Sequence, residues 1–243
     1  MYTMIAGTTP ALGYARQFLQ NAGIPVTDTF RWDVKHLLLD VPSFRPGGII
    51  PDTILSSLPR EITIWGGTLD HPALEGYHCV DLLKDEIYLT KNAAITADCT
   101  LTLIRSALYG DFAGRKVLII GWGRIGKSLA FKMSKLGCDI TVAARSISDR
   151  AKLTKLDFRA MDTSLLSNDL AGFDMIINTV PSLLLCESDL TLCTACLKID
   201  LASIKGIAGE DVIWARGLPG KYAPEQSGQL IAETFLRILK EEH

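Results

Sequence analysis

Six consecutive residues, Gly121-Trp122-Gly123-Arg124-Ile125-Gly126, carry the spacing G-x-G-x-x-G. In that pattern the first glycine permits a tight turn, the second lets backbone approach a pyrophosphate, and the third lets a helix pack closely on a strand. The spacing gains weight from its surroundings. An apolar run, Val117 to Ile120, precedes it, and Ile125, Leu129 and Met133 follow on one helical face. The first N–H groups of such a helix can face a diphosphate, so Gly121, Trp122, Gly123, Arg124, Ile125 and Gly126 are expected to bind a dinucleotide.

The next strand-like run, "DITVAA", stops on Ala144-Arg145-Ser146, where the NAD-binding form of this unit carries an acid for the adenosine ribose. An acid at Ala144 would repel a 2′-phosphate. Arg145 and Ser146 offer one charge-assisted and one neutral hydrogen bond to such a group, so NADP is expected, with NAD as the alternative. Arg150 either adds a second charge or is a solvated surface arginine. Further on, "INTVPS" closes the fourth strand of this unit and "IDLAS" the next. Ligands of doubly wound folds sit at the carboxyl ends of strands, which places Asn178, Thr179, Pro181, Ala202 and Ser203 near the nicotinamide. Pro219, in the turn Gly217 to Gly220, joins the expected cofactor set.

These residues need a frame. The chain has 243 residues, 48% hydrophobic and 21% charged, with 25 Lys+Arg against 27 Asp+Glu. That balance makes no electrostatic case for nucleic acid or an anionic membrane, and two domains are the better expectation. No apolar run reaches a membrane span, and Met1-Tyr2-Thr3-Met4 leads straight into a strand, so a cytoplasmic protein is expected. The six cysteines are expected to be reduced. Only Cys193-Thr-Ala-Cys196 has redox or metal spacing, and one such pair before an apolar strand reads better as two small hydrophobes than as a metal site.

Strand-like runs alternate with helical patterns throughout: "YTMIAG", "HLLLDV", "EITIWG", "KVLIIG", "DITVAA", "DMIINTV", "LKIDLA" and "DVIWA". This predicts an α/β protein with two doubly wound, Rossmann-like or flavodoxin-like domains built on parallel sheets. Residues 1–91 form the first, with turn signals at Arg45-Pro46-Gly47-Gly48 and Gly66-Gly67, and residues 92–223 the second. A helix from about Ala93 to Tyr109 links them. A second, residues 224–242, starts at Pro224 and sets Leu230, Ile231, Phe235, Leu236 and Leu239 on one face, packing back on the first domain. The two would bracket the nucleotide unit and leave a cleft between domains for a small molecule. The opening "IAGTTPALGYARQFLQNAG" is strand-turn-helix too, but lacks the full glycine spacing and reads as a plain α/β turn.

In their order and spacing, "VLIIGWGRIGKSLA", "AARS", "INTVPSLLL", "IDLAS" and "GLPGKYAPEQSGQLIA" resemble the family of dipicolinate synthase A subunits, from about Asn92 to the C-terminal helix. The resemblance implies an oxidoreductase of spore-forming bacteria that makes pyridine-2,6-dicarboxylate from a dihydrodipicolinate precursor. It implies a flavodoxin-like or Rossmann-like first domain, an NADP-binding second domain, a small dicarboxylate substrate and a flavoprotein-like B subunit. We also expect a homo-oligomer, most simply a dimer.

Removing a hydride and a proton from a partly reduced ring is driven by aromatisation, so the protein mainly supplies placement and a proton acceptor. The candidate catalytic residues are Asp98, Ser203 and Lys221, with Arg216 and the Gly217–Gly220 backbone as further carboxylate donors. Asp98 could act as the base if desolvated. Equally, it could be a helix N-terminal acid that favours the dipole. Two other readings stand beside this one. D-2-hydroxyacid dehydrogenases share the two-domain plan but use a late histidine, whereas the histidines here are His36, His71, His78 and His243. A non-catalytic NADP-binding module is the third.

Overall fold

Runs of four to six apolar residues with helices between them can bury both faces of each strand only in a sheet sandwiched by helices. The computed structural model has this arrangement twice. It describes residues 2–44, 55, 58–108, 110–168 and 170–241. The turn signals at Arg45-Pro46-Gly47-Gly48, the expected helix ends at Tyr109 and Glu242, and His243 lie outside the described residues.

The chain divides into two units, Met1–Ile95 with Pro219–His243, and Thr96–Leu218. In the first, β1 (Tyr2–Ala6), β2 (Val26–Thr27), β3 (Val34–Leu39), β4 (Thr63–Gly66) and β5 (His78–Asp81) form a sheet in the order β2-β1-β3-β4-β5. Every pairing is parallel. This is the flavodoxin-like order. Helix α1 (Pro10–Asn21) starts where Thr9 Oγ1 accepts the Leu12 N–H at 3.2 Å and Pro10 fills the first turn. Its Leu12, Ala15 and Leu19 pack with Leu230, Ile231 and Phe235 of the C-terminal helix over Leu38 and Trp65. The opposite sheet face carries Met4, Leu37, Leu39 and Ile64.

Helix α2 (Glu86–Ala107) begins earlier than its apolar pattern suggests, because Asp85 caps it by accepting the Tyr88 N–H at 2.7 Å. The division between units falls within this helix. The second unit then runs β6 (Lys116–Ile120), α3 (Arg124–Lys135), β7 (Asp139–Ala143), α4 (Ile147–Lys155), β8 (Arg159–Met161), β9 (Met175–Asn178), β10 (Leu197–Asp200) and β11 (Val212–Trp214). Its sheet order is β11-β10-β9-β6-β7-β8, parallel at every pairing, which is the Rossmann order with β6 as first strand. Leu118, Ile120, Ala143 and Ile176 bury one face beneath Leu166 and Leu170. A short helix α5 (Leu218–Tyr222) leads into α6 (Pro224–Glu241). Among the described residues no helix is long and apolar enough to cross a membrane.

Candidate functional site

The order of the second sheet reverses between β6 and β9, so the carboxyl ends of these two strands flank the crevice where such folds hold ligands. The glycine turn sits there. Gly121 has φ +104°, a conformation that disfavours a side chain, and a Cβ on it would lie 2.5 Å from Thr179 Oγ1. A Cβ on Gly126 would lie 2.1 Å from the Gly121 carbonyl oxygen, so α3 can close on the turn only with glycine there. Gly123, by contrast, is exposed with open space beside its Cα, and as N-cap of α3 it brings no side chain to the first turn. The turn thus fits a diphosphate lying against backbone N–H groups. Trp122 points elsewhere: it is buried against Phe131 and Phe158, at 6.2 and 6.0 Å between ring centroids, and anchors the turn rather than lining it. Arg124 is exposed and Ile125 half-buried.

At the end of β7, Ala144 is buried while Arg145 and Ser146 are exposed. Ser146 caps α4, its hydroxyl oxygen accepting the Asp149 N–H at 3.4 Å. Arg150 is neither a second exposed cation nor a solvated surface residue. Its Nη1 lies 2.8 Å from the Ala144 carbonyl, 2.7 Å from that of Arg145 and 2.7 Å from Asp162 Oδ2. Asp162 also accepts from the Ser164 N–H and hydroxyl, and these bonds, more than the nearby guanidinium, hold its carboxyl below the usual range.

The ends of β9 and β10 are tied by a buried pair, Asn178 and Asp200, of which the sequence pattern singled out only Asn178. Asp200 is fully buried at the last position of β10. Its Oδ1 accepts from Asn178 Nδ2 and the Ala202 N–H, both at 3.0 Å, and its Oδ2 from the N–H groups of Gly206 and Ile207, at 2.6 and 2.9 Å. Asn178, fully buried, also bonds both the N–H and the carbonyl of Val180. Asn178 and Ala202 are therefore scaffold for the two strand-end loops. Thr179, which donates to the Ile120 carbonyl at 2.9 Å, closes the floor between β6 and β9. Pro181 and Ser203 stand exposed on these loops. An acid ending a buried strand, as in "IDLAS", was the available signal for Asp200.

Other expected residues lie apart. Asp98 is the thirteenth residue of α2, not at a helix N-terminus, and its half-exposed carboxylate pairs with Lys132 at 2.6 Å. Lys132 belongs to the last turn of α3, the opposite end of that helix from the glycine turn. Neither the desolvation a catalytic base needs nor a role at the helix dipole holds for Asp98. Pro219 and Lys221 belong to the first unit, in α5, with the Lys221 ammonium 5.2 Å from the Tyr222 ring centroid. Arg216 stacks over Trp214 at 5.2 Å, and Trp214 Nε1 donates to the Ala202 carbonyl.

The corresponding crevice of the first unit, between β1 and β3, holds an internal anion. Asp40 accepts the N–H groups of Thr8 and Thr9 at 2.9 and 3.1 Å, and the Thr9 hydroxyl as well. These donors at the start of α1 are thereby used, consistent with a plain turn there. His71 caps a 3-10 turn and stacks on Phe44 at 3.9 Å, and the His36 ring accepts from Trp65 Nε1. All six cysteines are free thiols. Cys193 and Cys196 are buried, and burial pushes Cys196 up to about 12, the behaviour of small hydrophobes. Among the described residues no cluster of His, Cys, Asp and Glu could hold a metal ion.

Comparisons with known proteins agree with this geometry. A family model described as "Putative NAD(P)-binding" matches residues 108–193. The chain is 31% identical over 167 residues to the A subunit of dipicolinate synthase from Bacillus subtilis, an alignment covering 65% of this chain and spanning only 56% of that relative's length. The crystal structure of the corresponding dipicolinate synthase component from Bacillus halodurans superposes with a TM-score of 0.87 at 21% identity, covering 98% of this chain and 97% of that one. That of the Bacillus subtilis protein gives 0.83 at 22%, covering 99% and 96%. The likeness in fold includes the first unit, where the sequence motifs are silent.

Proposed function

We propose, from this chain's kinship with the A subunit of dipicolinate synthase, that it is an NADP-dependent oxidoreductase whose substrate is a small, partly reduced heterocyclic dicarboxylate. Dihydrodipicolinate is the first candidate, oxidised to dipicolinate. The coarser part rests on the comparisons: the chain is a relative of that enzyme component, and its second unit is a Rossmann unit of the NAD(P)-binding kind. The observation that carries the choice of NADP is the strand end at Ala144-Arg145-Ser146, which has an exposed cation where a ribose-binding acid would stand; the substrate rests on the kinship alone.

A bound nicotinamide would accept the hydride leaving a ring carbon. The chain's own residues do the rest. The first turn of α3 takes the diphosphate, Arg145 pairs with the 2′-phosphate, and the loops after β9 and β10 flank the reacting ring. Ser203, Arg216 and the backbone of Gly217 and Leu218, all in the second unit, supply donors for the two substrate carboxylates. The ring proton lost on aromatisation passes to a base other than Asp98, whose ion pair leaves it unsuited. A flavoprotein-like B subunit completes the activity, and the protein acts in the cytosol as a homo-oligomer.

The test is absorbance at the reduced-nicotinamide band with dihydrodipicolinate generated in situ, with and without the B subunit. Growth of the band with NADP as oxidant is expected. Tight NADPH binding with no turnover in either mixture would reduce the chain to a nucleotide-binding module.

A further inference from the structure

Arg150 stands one helical turn beyond the strand end that presents Arg145, with its N–H donating to the Ser146 carbonyl at 3.0 Å. Its guanidinium folds back under that strand end. One nitrogen donates to the carbonyls of Ala144 and Arg145 and forms an ion pair with the carboxylate of Asp162. Asp162 follows Met161, and Met161 is the register partner of Ala143. The backbone of Asp162 is therefore one strand over from Ala144, about 4.8 Å away in strand spacing. The two side chains are 22% and 31% exposed, shielded enough that their pairing is not simply a solvated surface contact.

Two consequences follow from this placement. With both carbonyls turned toward Arg150, the peptide units of Ala144 and Arg145 are fixed, and the Arg145 side chain leaves from a defined point. In addition, the acid at the end of β8 is neutralised. A bare carboxylate beside the strand end would act on a 2′-phosphate as the missing ribose-binding acid would, by like-charge repulsion.

We propose that Arg150 is a positioning residue that sets the choice of NADP over NAD without touching the nucleotide. It locks the strand end that presents Arg145 and cancels the charge of Asp162. The proposal rests on the reading of Arg145 as the partner of the 2′-phosphate and deepens it.

The test titrates NADPH and NADH into the full-length protein and four variants, with melting temperatures recorded alongside. Arg145→Gln is expected to weaken NADPH about ten- to hundredfold, the worth of a charge-assisted bond, and to leave NADH nearly unchanged. Arg150→Gln should weaken NADPH about tenfold. The double variant Arg150→Gln with Asp162→Asn should recover most of that loss, because the uncompensated charge is gone. Arg150→Lys, which keeps the charge but not the planar fork, should fall between wild type and Arg150→Gln.

An unchanged NADPH-to-NADH ratio in Arg150→Gln overturns the proposal, as does equal weakening of both nucleotides. Failure of Asp162→Asn to restore NADPH would show that Arg150 does not act by cancelling the charge of Asp162, and also overturn it. Arg145→Gln with undiminished NADPH preference would instead sink the underlying NADP reading. If Arg150→Gln does not fold, the Arg150→Lys ratio decides, and a wild-type value there counts against the proposal.

Discussion

At Asp200, four N–H donors converge on one fully buried carboxylate, and through it the loops after β9 and β10 share a single anchor. Replacing Asp200 with Asn would turn one acceptor into a donor facing the N–H groups of Gly206 and Ile207, or facing Asn178 and Ala202. We expect Asp200→Asn to cost about 1–3 kcal/mol, the range for a buried group left unsatisfied, and to weaken nucleotide binding through the loops. A urea midpoint unchanged from wild type would show that the pair is not the anchor. Gly126→Ala tests the other side of the crevice. With its Cβ forced onto the Gly121 carbonyl, the turn must open, and a loss of NADPH affinity of more than about tenfold is expected by titration. Glycine spacing was legible as chemistry. Asp200 was not, because an acid reads as polar whether or not the fold aims backbone at it.

Helix contacts in the first unit make the element-scale predictions. Gly228 of α6 meets α1 so closely that a Cβ would fall 2.4 Å from the Ala11 carbonyl oxygen and 2.7 Å from the Ala15 nitrogen. Gly228→Ala must push the helices apart, at a cost of about 1–3 kcal/mol measured by urea unfolding. Two ion pairs join α2 and its capping residue to α6: Asp85 with Arg237 at 2.7 Å and Lys91 with Glu233 at 3.0 Å. Burial raises the Asp85 carboxyl, but the Tyr88 N–H and the Arg237 guanidinium outweigh it and leave it below the usual range. The hydrogen bond from Lys91 lowers Glu233. Groups with depressed folded values add stability above the ordinary carboxylate range and lose it as pH falls through the folded value, in the acid region under about pH 4. Asp85→Asn keeps an oxygen for the cap and removes only the charge. Its destabilisation should therefore be present at neutral pH and vanish at acid pH, whereas Asp85→Ala should retain about 1 kcal/mol of cap loss at both. Strand legibility also sorts by element. Buried β1, β3, β4, β6, β7, β9 and β10 announced themselves as apolar runs. Of the edge strands only β11 did, as "DVIWA"; β2, β5 and β8 did not, because a strand paired on one side needs only a few residues and little apolarity.

At the scale of the whole chain, the second unit is inserted into the first: residues up to Ile95 and from Pro219 onward make one sheet-and-helix unit, and the segment between them makes the other. Nucleotide bound to the second unit stabilises the folded chain by mass action. At a hundred times the dissociation constant the gain is about 2.7 kcal/mol. Calorimetry should therefore show NADPH raising the melting transition, more than NADH at equal concentration, and the difference should shrink in Arg145→Gln. Equal shifts for the two nucleotides would contradict the preference argued from Arg145.

The sequence by itself determined the alternation of strand and helix, the glycine turn and the strand end without its acid. These depend on local properties: apolar period, backbone permissiveness and the charge of one side chain beside its neighbours in sequence. The tertiary structure decided what those residues do. Asp40 supplies an internal anion to the first unit's helix, and Asp98 is an exposed surface partner of Lys132. Arg150 serves the strand end rather than solvent. For Asp40 and Asp98 the partner lies 31 to 34 positions away in the chain, where only the parallel crossovers and helix packing bring such pairs together, and for Arg150 the strand-to-helix turn folds the side chain back on the strand end.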